Sequence, residues 1–276
     1  MTYILYNPRA AASADTAKEA AAAFSAEEPA IRDLTAVDPE SFFGALTERD
    51  KVILCGGDGT INHLINDLHG ACPAVPIHLW RSGTGNDFIR DVTTDADKGA
   101  RTVLLNDHIR DLPHADIDGK RYWFLNGCCG GVDALVCQRM NEERDRKPSY
   151  VTTAIRCFFR DFRTTTARIT VDGETRVYDR VWMAGAMNGR YQGGGMLFAP
   201  GQDRHGDTLC AFVWHGTGAL GTLAHFPFIM NGSHVRFTKY CDMIRGRSVT
   251  IELGDPNYVQ MDGETVPNVT RFTVEK

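Results

Sequence analysis

A glycine-rich turn at the end of a short apolar strand constrains this chain more than any other feature. Lys51-Val-Ile-Leu-Cys55 reads as a buried strand and Ile61 to His69 as a helix. Between them lies Gly56-Gly57-Asp58-Gly59-Thr60, with Asn62 closing the motif. Glycines at such a junction let backbone N–H groups come close to a phosphate, and a helix N-terminus adds positive potential at the same spot. Thr60 can cap that helix or meet a phosphate oxygen. Asp58 is the unexpected member. A carboxylate repels phosphate unless a cation lies between them, so Asp58 points to Mg²⁺, held directly or through water. The alternative is a plain glycine turn with an acidic helix start.

A second loop repeats the logic. Arg81-Ser-Gly83-Thr84-Gly85-Asn86-Asp87-Phe88 follows a strand over Val75 to Trp80. Gly83 and Gly85 free the backbone, and Thr84, Asn86 and Asp87 offer polar groups at the same sheet end. Two such loops on the carboxyl ends of neighbouring strands make a ligand crevice. Two familiar nucleotide signatures are absent: Gly-x-x-x-x-Gly-Lys-Ser/Thr, and the dinucleotide pattern Gly-x-Gly-x-x-Gly.

Around these loops the first third of the chain alternates strands and helices. Tyr3 to Tyr6 is a strand ending at Asn7-Pro8, and Ala14 to Glu28 is an alanine-rich helix with Thr16 and Glu19 at capping-box spacing. Alternation of this kind predicts an α/β domain with a mostly parallel sheet. After about Asp111 the texture changes. Asp118-Gly119 and Asp172-Gly173 each read as the turn of a hairpin. Further strands fall at 180–187, 207–214, 248–253 and 270–275, with one helix over 149–163. The pattern predicts an α/β domain over 1–112 and a β-rich, antiparallel region over 113–264.

The net charge of −5 gives no broad basic surface for nucleic acid. Eight scattered cysteines without a C-x-x-C pair suit a reduced, cytosolic enzyme, and Met1 to Pro8 lacks the look of a signal peptide. From Thr208 to Val235 there is no Asp, Glu, Lys or Arg, but Gly216, Gly218, Gly221 and Pro227 interrupt the run. A buried strand followed by an apolar loop or helix fits this better than a membrane span.

Both loops resemble hallmark motifs of the lipid kinase family that includes diacylglycerol kinases and sphingosine kinases. Three further segments resemble that family in order: Phe124-Leu-Asn-Gly-Cys-Cys-Gly-Gly-Val-Asp133, Gly193-Gly-Gly-Met-Leu-Phe-Ala-Pro200 and Gln260-Met-Asp262-Gly-Glu264. The resemblance implies a nucleotide-binding α/β domain followed by a β-rich lipid-side domain, whose final strand, about 265–276, returns to the first. It implies that ATP contacts Asn7, Pro8, Thr35, Gly56, Gly57, Gly59, Thr60, Asn62 and the Gly83–Asn86 loop. Arg9 stands where the family usually carries Gly or Lys nearby, and could itself meet phosphate. A catalytic carboxylate is implied at Glu264 or Asp262. Asp133 either completes an acidic cluster or caps a helix. A structural Mg²⁺ would fall to Asp207 with the carbonyls of Arg204 and Leu209, although Thr208 replaces the usual glycine.

The implied activity is ATP- and Mg²⁺-dependent phosphorylation of a lipid hydroxyl, with diacylglycerol as the default acceptor. The lipid would be met at a membrane surface, on its inner face, by a cytoplasmic protein; a homodimer is left open. Two segments could touch the membrane. One is 149–163, with Arg156, Arg160 and Arg163 among Ile155, Phe158, Phe159 and Phe162; the other is the uncharged 208–235 run. Each also reads as ordinary core. The competing functions are a soluble kinase acting on NAD and a non-catalytic nucleotide or lipid sensor.

Overall fold

The structure is a computed structural model that describes residues 1–10, 13–81, 87–94, 99–143 and 149–276. The chain forms two compact units, Met1–Leu112 and Pro113–Lys276.

In the first unit the order is β1 (Thr2–Tyr6), α1 (Ser13–Ala23), β2 (Ala30–Asp33), α2 (Pro39–Gly44), β3 (Lys51–Cys55), α3 (Asp58–Asp67), β4 (Ile77–Trp80), α4 (Asp87–Val92), β5 (Thr102–Leu104) and α5 (Asn106–Ile109). The sheet runs β2-β1-β3-β4-β5, with β1 to β4 parallel and β5 antiparallel at the edge. Ile4, Ile53, Cys55 and Trp80 pack against Ala17 and Ala20 of α1, whose small side chains let the helix lie close to the strands. Because α1 begins at Ser13, Thr16 and Glu19 lie inside the helix rather than at its start. The winding direction reverses at β1, so the carboxyl ends of β1 and β3 flank the switch point where open α/β sheets take their ligands. Tyr6 is in register with Cys55, which sets the Asn7 turn beside the glycine turn.

The second unit is an antiparallel β-sandwich. Its elements are β6 (His114–Ile117), β7 (Lys120–Trp123), β8 (Gly127–Gly131), α6 (Val132–Glu142), α7 (Tyr150–Arg156), β9 (Thr165–Val171), β10 (Glu174–Val181), β11 (Met183–Met187), β12 (Tyr191–Gln192), β13 (Met196–Leu197), β14 (Leu209–Trp214), α8 (Ala219–His225), β15 (Cys241–Gly246), β16 (Ser248–Met261) and β17 (Glu264–Glu275). The main path runs β15-β14-β11-β8-β16-β17-β6-β7, and β9 joins it by pairing with β16. The strand β16 shifts register between Glu252 and Val259, so its first half pairs with β9 and its last residues with β8. One face of the sheet buries Phe124, Cys128, Ile251 and Phe272 between strands. The other face buries Cys129, Met183, Phe212 and Trp214 beneath the helices. Alternation along Cys128-Cys129 therefore feeds both cores.

Two expectations change here. The final strand does not return to the first unit: the Asp262-Gly263 turn folds β17 straight back along β16, and β6 pairs with its other edge. The helix expected over 149–163 stops being α-helical at Arg156 and continues as a π-helical turn, closed by Phe162 N–H to the Cys157 carbonyl at 2.9 Å.

Candidate active site

The glycine turn packs as tightly as its sequence suggests. A Cβ at Gly56 would lie 2.4 Å from Thr60 Oγ, so only glycine fits. Thr60 is consequently buried against Gly56 rather than capping α3, whose N-cap is Gly57 with no side-chain cap. Gly57, Asp58 and Gly59 remain partly exposed, while Asn62 is buried and accepts from the Asn66 amide at 2.8 Å through its carbonyl. Asp58 has a role that the sequence did not suggest: its Oδ2 accepts from the N–H groups of Asp87 at 2.9 Å and Phe88 at 3.4 Å. It thereby holds the start of α4 against the start of α3, which gives one physical reason for an acid in this turn. Asp87, left out of the expected site set, is buried beside it. Gly83, Thr84, Gly85 and Asn86 lie outside the described residues.

The neighbouring turn is also built. The Asn7 Oδ1 accepts from Arg9 N–H at 3.0 Å, and Asn7 N–H donates to Ser13 Oγ at 3.1 Å. Ser13 in turn donates to the Cys55 carbonyl at 2.9 Å, tying the end of β1 to the end of β3. Pro8 and Arg9 are exposed. Thr35 is exposed after β2, where Asp33 accepts from its N–H and its hydroxyl, both at 2.8 Å.

In the second unit the closing hairpin separates its two carboxylates. Asp262 and Gly263 both have positive φ, 50° and 97°, the pair a tight two-residue hairpin turn needs. The Asp262 carboxylate accepts from the N–H groups of Leu125 at 2.6 Å, Asn126 at 2.9 Å and Gly127 at 3.3 Å. Its lone pairs are committed to holding the segment before β8. Glu264, one residue past the turn, is exposed.

Asp133 opens α6 and is tied to the same hairpin. Its Oδ2 accepts from the amides of Gln192 at 3.3 Å and Gln260 at 3.2 Å, while its Oδ1 is sealed from solvent. Burial, opposed chiefly by the Gln260 hydrogen bond, raises its carboxyl above the ordinary carboxylate range. The other end of Gln260 accepts from Gly263 N–H at 2.8 Å, so a chain runs from Asp133 through Gln260 to the turn that carries Glu264. Sequence reasoning missed Gln260 and Gln192; the one available signal was Gln260 preceding the Met-Asp-Gly-Glu motif. Burial also raises the thiols nearby, Cys128 and Cys129 well above their usual value and Cys137 to about 12, which disfavours their thiolate forms.

The expected metal set does not offer open ligands. Asp207 is ion-paired with Arg247. The Arg204 carbonyl accepts from Lys276 Nζ at 2.7 Å, and the same ammonium donates to Asn188 Oδ1 at 2.7 Å. Leu209 is the first residue of β14, paired with Gly246. The Arg204 side chain is buried and reaches Asn126 Oδ1 at 3.0 Å. Two of the three expected ligands, the Asp207 carboxylate and the Arg204 carbonyl, are thus engaged by protein cations. Elsewhere among the described residues His114, Asp116 and Glu275 gather, but Arg121 already holds Asp116 at 2.9 and 3.0 Å.

A parallel sheet with a glycine turn at its switch point is thus joined in one chain to an antiparallel sandwich. The diacylglycerol kinase catalytic domain matches residues 1–116, and the YegS C-terminal NAD kinase beta sandwich-like domain matches residues 127–274. The chain belongs to this diacylglycerol kinase-like family of lipid kinases. A diacylglycerol kinase of Mycobacterium tuberculosis is 27% identical over 223 residues, covering 78% of this chain and 70% of the relative. A crystal structure of a diacylglycerol kinase from Bacillus anthracis superposes with a TM-score of 0.63 at 20% identity, over 99% of this chain and 92% of the other. An NAD kinase from Archaeoglobus fulgidus in complex with ATP shares the fold at a TM-score of 0.51 and 15% identity, over 100% of this chain and 90% of the other. No helix among the described residues is long and apolar enough to cross a membrane.

Proposed function

We propose that this protein transfers the γ-phosphate of ATP to the hydroxyl of a lipid, with diacylglycerol as acceptor and phosphatidic acid as product. The observation that carries the reading is the Gly56–Thr60 turn at the switch point of the parallel sheet, braced through Asp58 onto α4. Phosphoryl transfer depends on positioning and charge neutralisation more than on covalent help from the protein. In this reading the amides at the start of α3 receive the phosphates, and Asn7, Arg9 and Thr35 line the approach from β1 and β2. Asp58 and Asp87 are hard oxygen donors suited to Mg²⁺, which would neutralise the phosphate oxygens when bound. Asp58 also holds the start of α4 through the N–H groups of Asp87 and Phe88, so its loss is felt twice. Glu264 accepts the proton of the acceptor hydroxyl, because Asp262 is occupied with three backbone donors. Asp133 acts through Gln260 to hold the Glu264 turn.

The test is turnover with γ-labelled ATP and Mg²⁺ against diacylglycerol, sphingosine and NAD, with products separated and weighed by mass spectrometry. The reading expects label in phosphatidic acid. Label only in sphingosine phosphate would change the acceptor, and label only in NADP would overturn the lipid reading. Asp58→Asn should lower turnover by about a hundredfold or more, roughly 2.7 kcal/mol of barrier.

A further inference from the structure

Three Asp-Gly turns close hairpins in the second unit, at 118, 172 and 262, and their tips are built alike. In each, the Asp and the Gly both have positive φ. A Cβ at Gly119, Gly173 or Gly263 would meet nothing within 4 Å, so every tip stands clear of packing. Exposed tips of this kind are where order is lost first. Among the described residues no side chain bonds to Gly119 or Gly173. Gly263 differs. Its N–H donates to Gln260 Oε1 at 2.8 Å, and its carbonyl accepts from Asn141 Nδ2 at 3.1 Å. Two residues on, the Thr265 hydroxyl donates to Gln138 Oε1 at 2.5 Å. Glu264 therefore lies between two residues that α6 holds.

The helix is fit to act as a support. Gln138 and Asn141 are three residues apart, so they share one face of α6. Val132, Ala134, Leu135 and Val136 bury the first half of the helix. The far end is clamped by charge. Arg139 bonds Glu142 at 2.7 Å, and Arg156 reaches Glu143 at 3.0 Å and Asp161 at 3.4 Å. Arg156 and Asp161 belong to α7 and the π turn, so α6 is fixed to the segment after it. Gln138 is set within this arrangement: its Nε2 donates to Glu142 Oε1 at 2.9 Å while its Oε1 accepts from Thr265. An amide can do both at once. These side chains are committed to a turn whose own geometry needs only Asp and Gly.

We infer that Gln138 and Asn141 are positioning residues for Glu264, fixing the backbone on both sides of it so that its carboxylate meets the acceptor hydroxyl at a constant place. The inference rests on the reading of Glu264 as the base. Proton transfer needs the carboxylate within hydrogen-bond reach of the hydroxyl, and a misplacement of about 1 Å can cost on the order of a hundredfold. Neither side chain needs to touch substrate; each acts through the strand. Either bond alone leaves one neighbour of Glu264 held, so losing both should cost more than the product of the single losses.

The experiment measures kcat, the ATP KM and amide hydrogen exchange over residues 262–265 in the full chain, with Mg²⁺ and diacylglycerol in detergent micelles. Gln138→Met, Asn141→Leu and the double variant are each made with Glu264 and with Glu264→Gln. Each single substitution should lower kcat about threefold and the pair about thirtyfold, with the ATP KM unchanged and exchange faster at the turn. Thr265→Val removes the bond to Gln138 from the strand side, and should match Gln138→Met without adding to it. In Glu264→Gln the same substitutions should lower kcat no further, because they act through that carboxylate. A general weakening of the fold would lower it in both backgrounds. Wild-type kcat in the double variant, unchanged exchange, or an equal loss with and without Glu264 overturns the inference. Glu264→Gln with wild-type turnover refutes the base assignment by itself, and the inference falls with it.

Discussion

Replacing Asp262 by Asn should destabilise the second unit, and replacing Glu264 by Gln should not. Asparagine tolerates the left-handed conformation at position 262, so the turn survives and the experiment isolates the carboxylate. In the wild type its two oxygens accept from three backbone N–H groups between 2.6 and 3.3 Å. A hydrogen bond to a charged group contributes about 1.5–3 kcal/mol, and Asn turns one of those oxygens into a donor facing donors. A net loss of about 2–4 kcal/mol follows. For a unit the size of Pro113–Lys276 that lowers the melting temperature by roughly 5–15 °C. Glu264 is exposed, so Glu264→Gln should melt within about 1–2 °C of wild type while turnover falls about a hundredfold or more. Circular-dichroism melts and initial rates on the same samples decide it. A stable, inactive Asp262→Asn beside a fully active Glu264→Gln would reverse the two assignments and refute the reasoning.

Gly56→Ala should destabilise the first unit by about 1–3 kcal/mol, read in a urea titration, because the new methyl meets the buried Thr60 side chain. Lys276→Met should cost about 1.5–3 kcal/mol by stranding the Arg204 carbonyl and Asn188, while EDTA leaves the wild-type melting temperature unchanged; a melt lowered by EDTA would restore the metal at Arg204, Asp207 and Leu209. Asp133 gives a pH signature. Its carboxyl is raised in the fold, so both states are protonated below the ordinary value of 3.8, and stability is lost as pH climbs from there towards the raised value. Asp133→Asn lacks that titration, and its stability relative to wild type should rise between pH 4 and 7; parallel curves would show that the carboxyl is not raised. Gln260→Leu should cut turnover about tenfold with little change in the Michaelis constant for ATP, as expected of a side chain that positions Glu264.

Local rules made the core of this architecture readable. The Lys51–Cys55 strand, the glycine turn and the helix after it are all short-range signals, and Asp-Gly at 118, 172 and 262 marks three hairpins because both residues adopt positive φ there. The hidden parts depend on partners far along the chain. The edge strand β2 leaves Ile31 47% exposed and shows no apolar alternation, so nothing flagged it. Asp262 looks like a turn residue until Leu125 and Asn126 are seen to donate to it across more than a hundred residues. The bracing of α4 by Asp58 shows only once Asp87 and Phe88 are found to donate to its carboxylate. The hold of Lys276 on the Arg204 carbonyl has no sequence signature at all, since it needs the end of β17 to arrive beside Arg204.

Calorimetric titration of the protein with a non-hydrolysable ATP analogue, with and without Mg²⁺, probes the β3–α3 turn most directly. Magnesium-dependent binding at micromolar concentrations, weakened at least tenfold in Asp58→Asn, is the expected result. Folded protein that takes up no nucleoside triphosphate under either condition would contradict it.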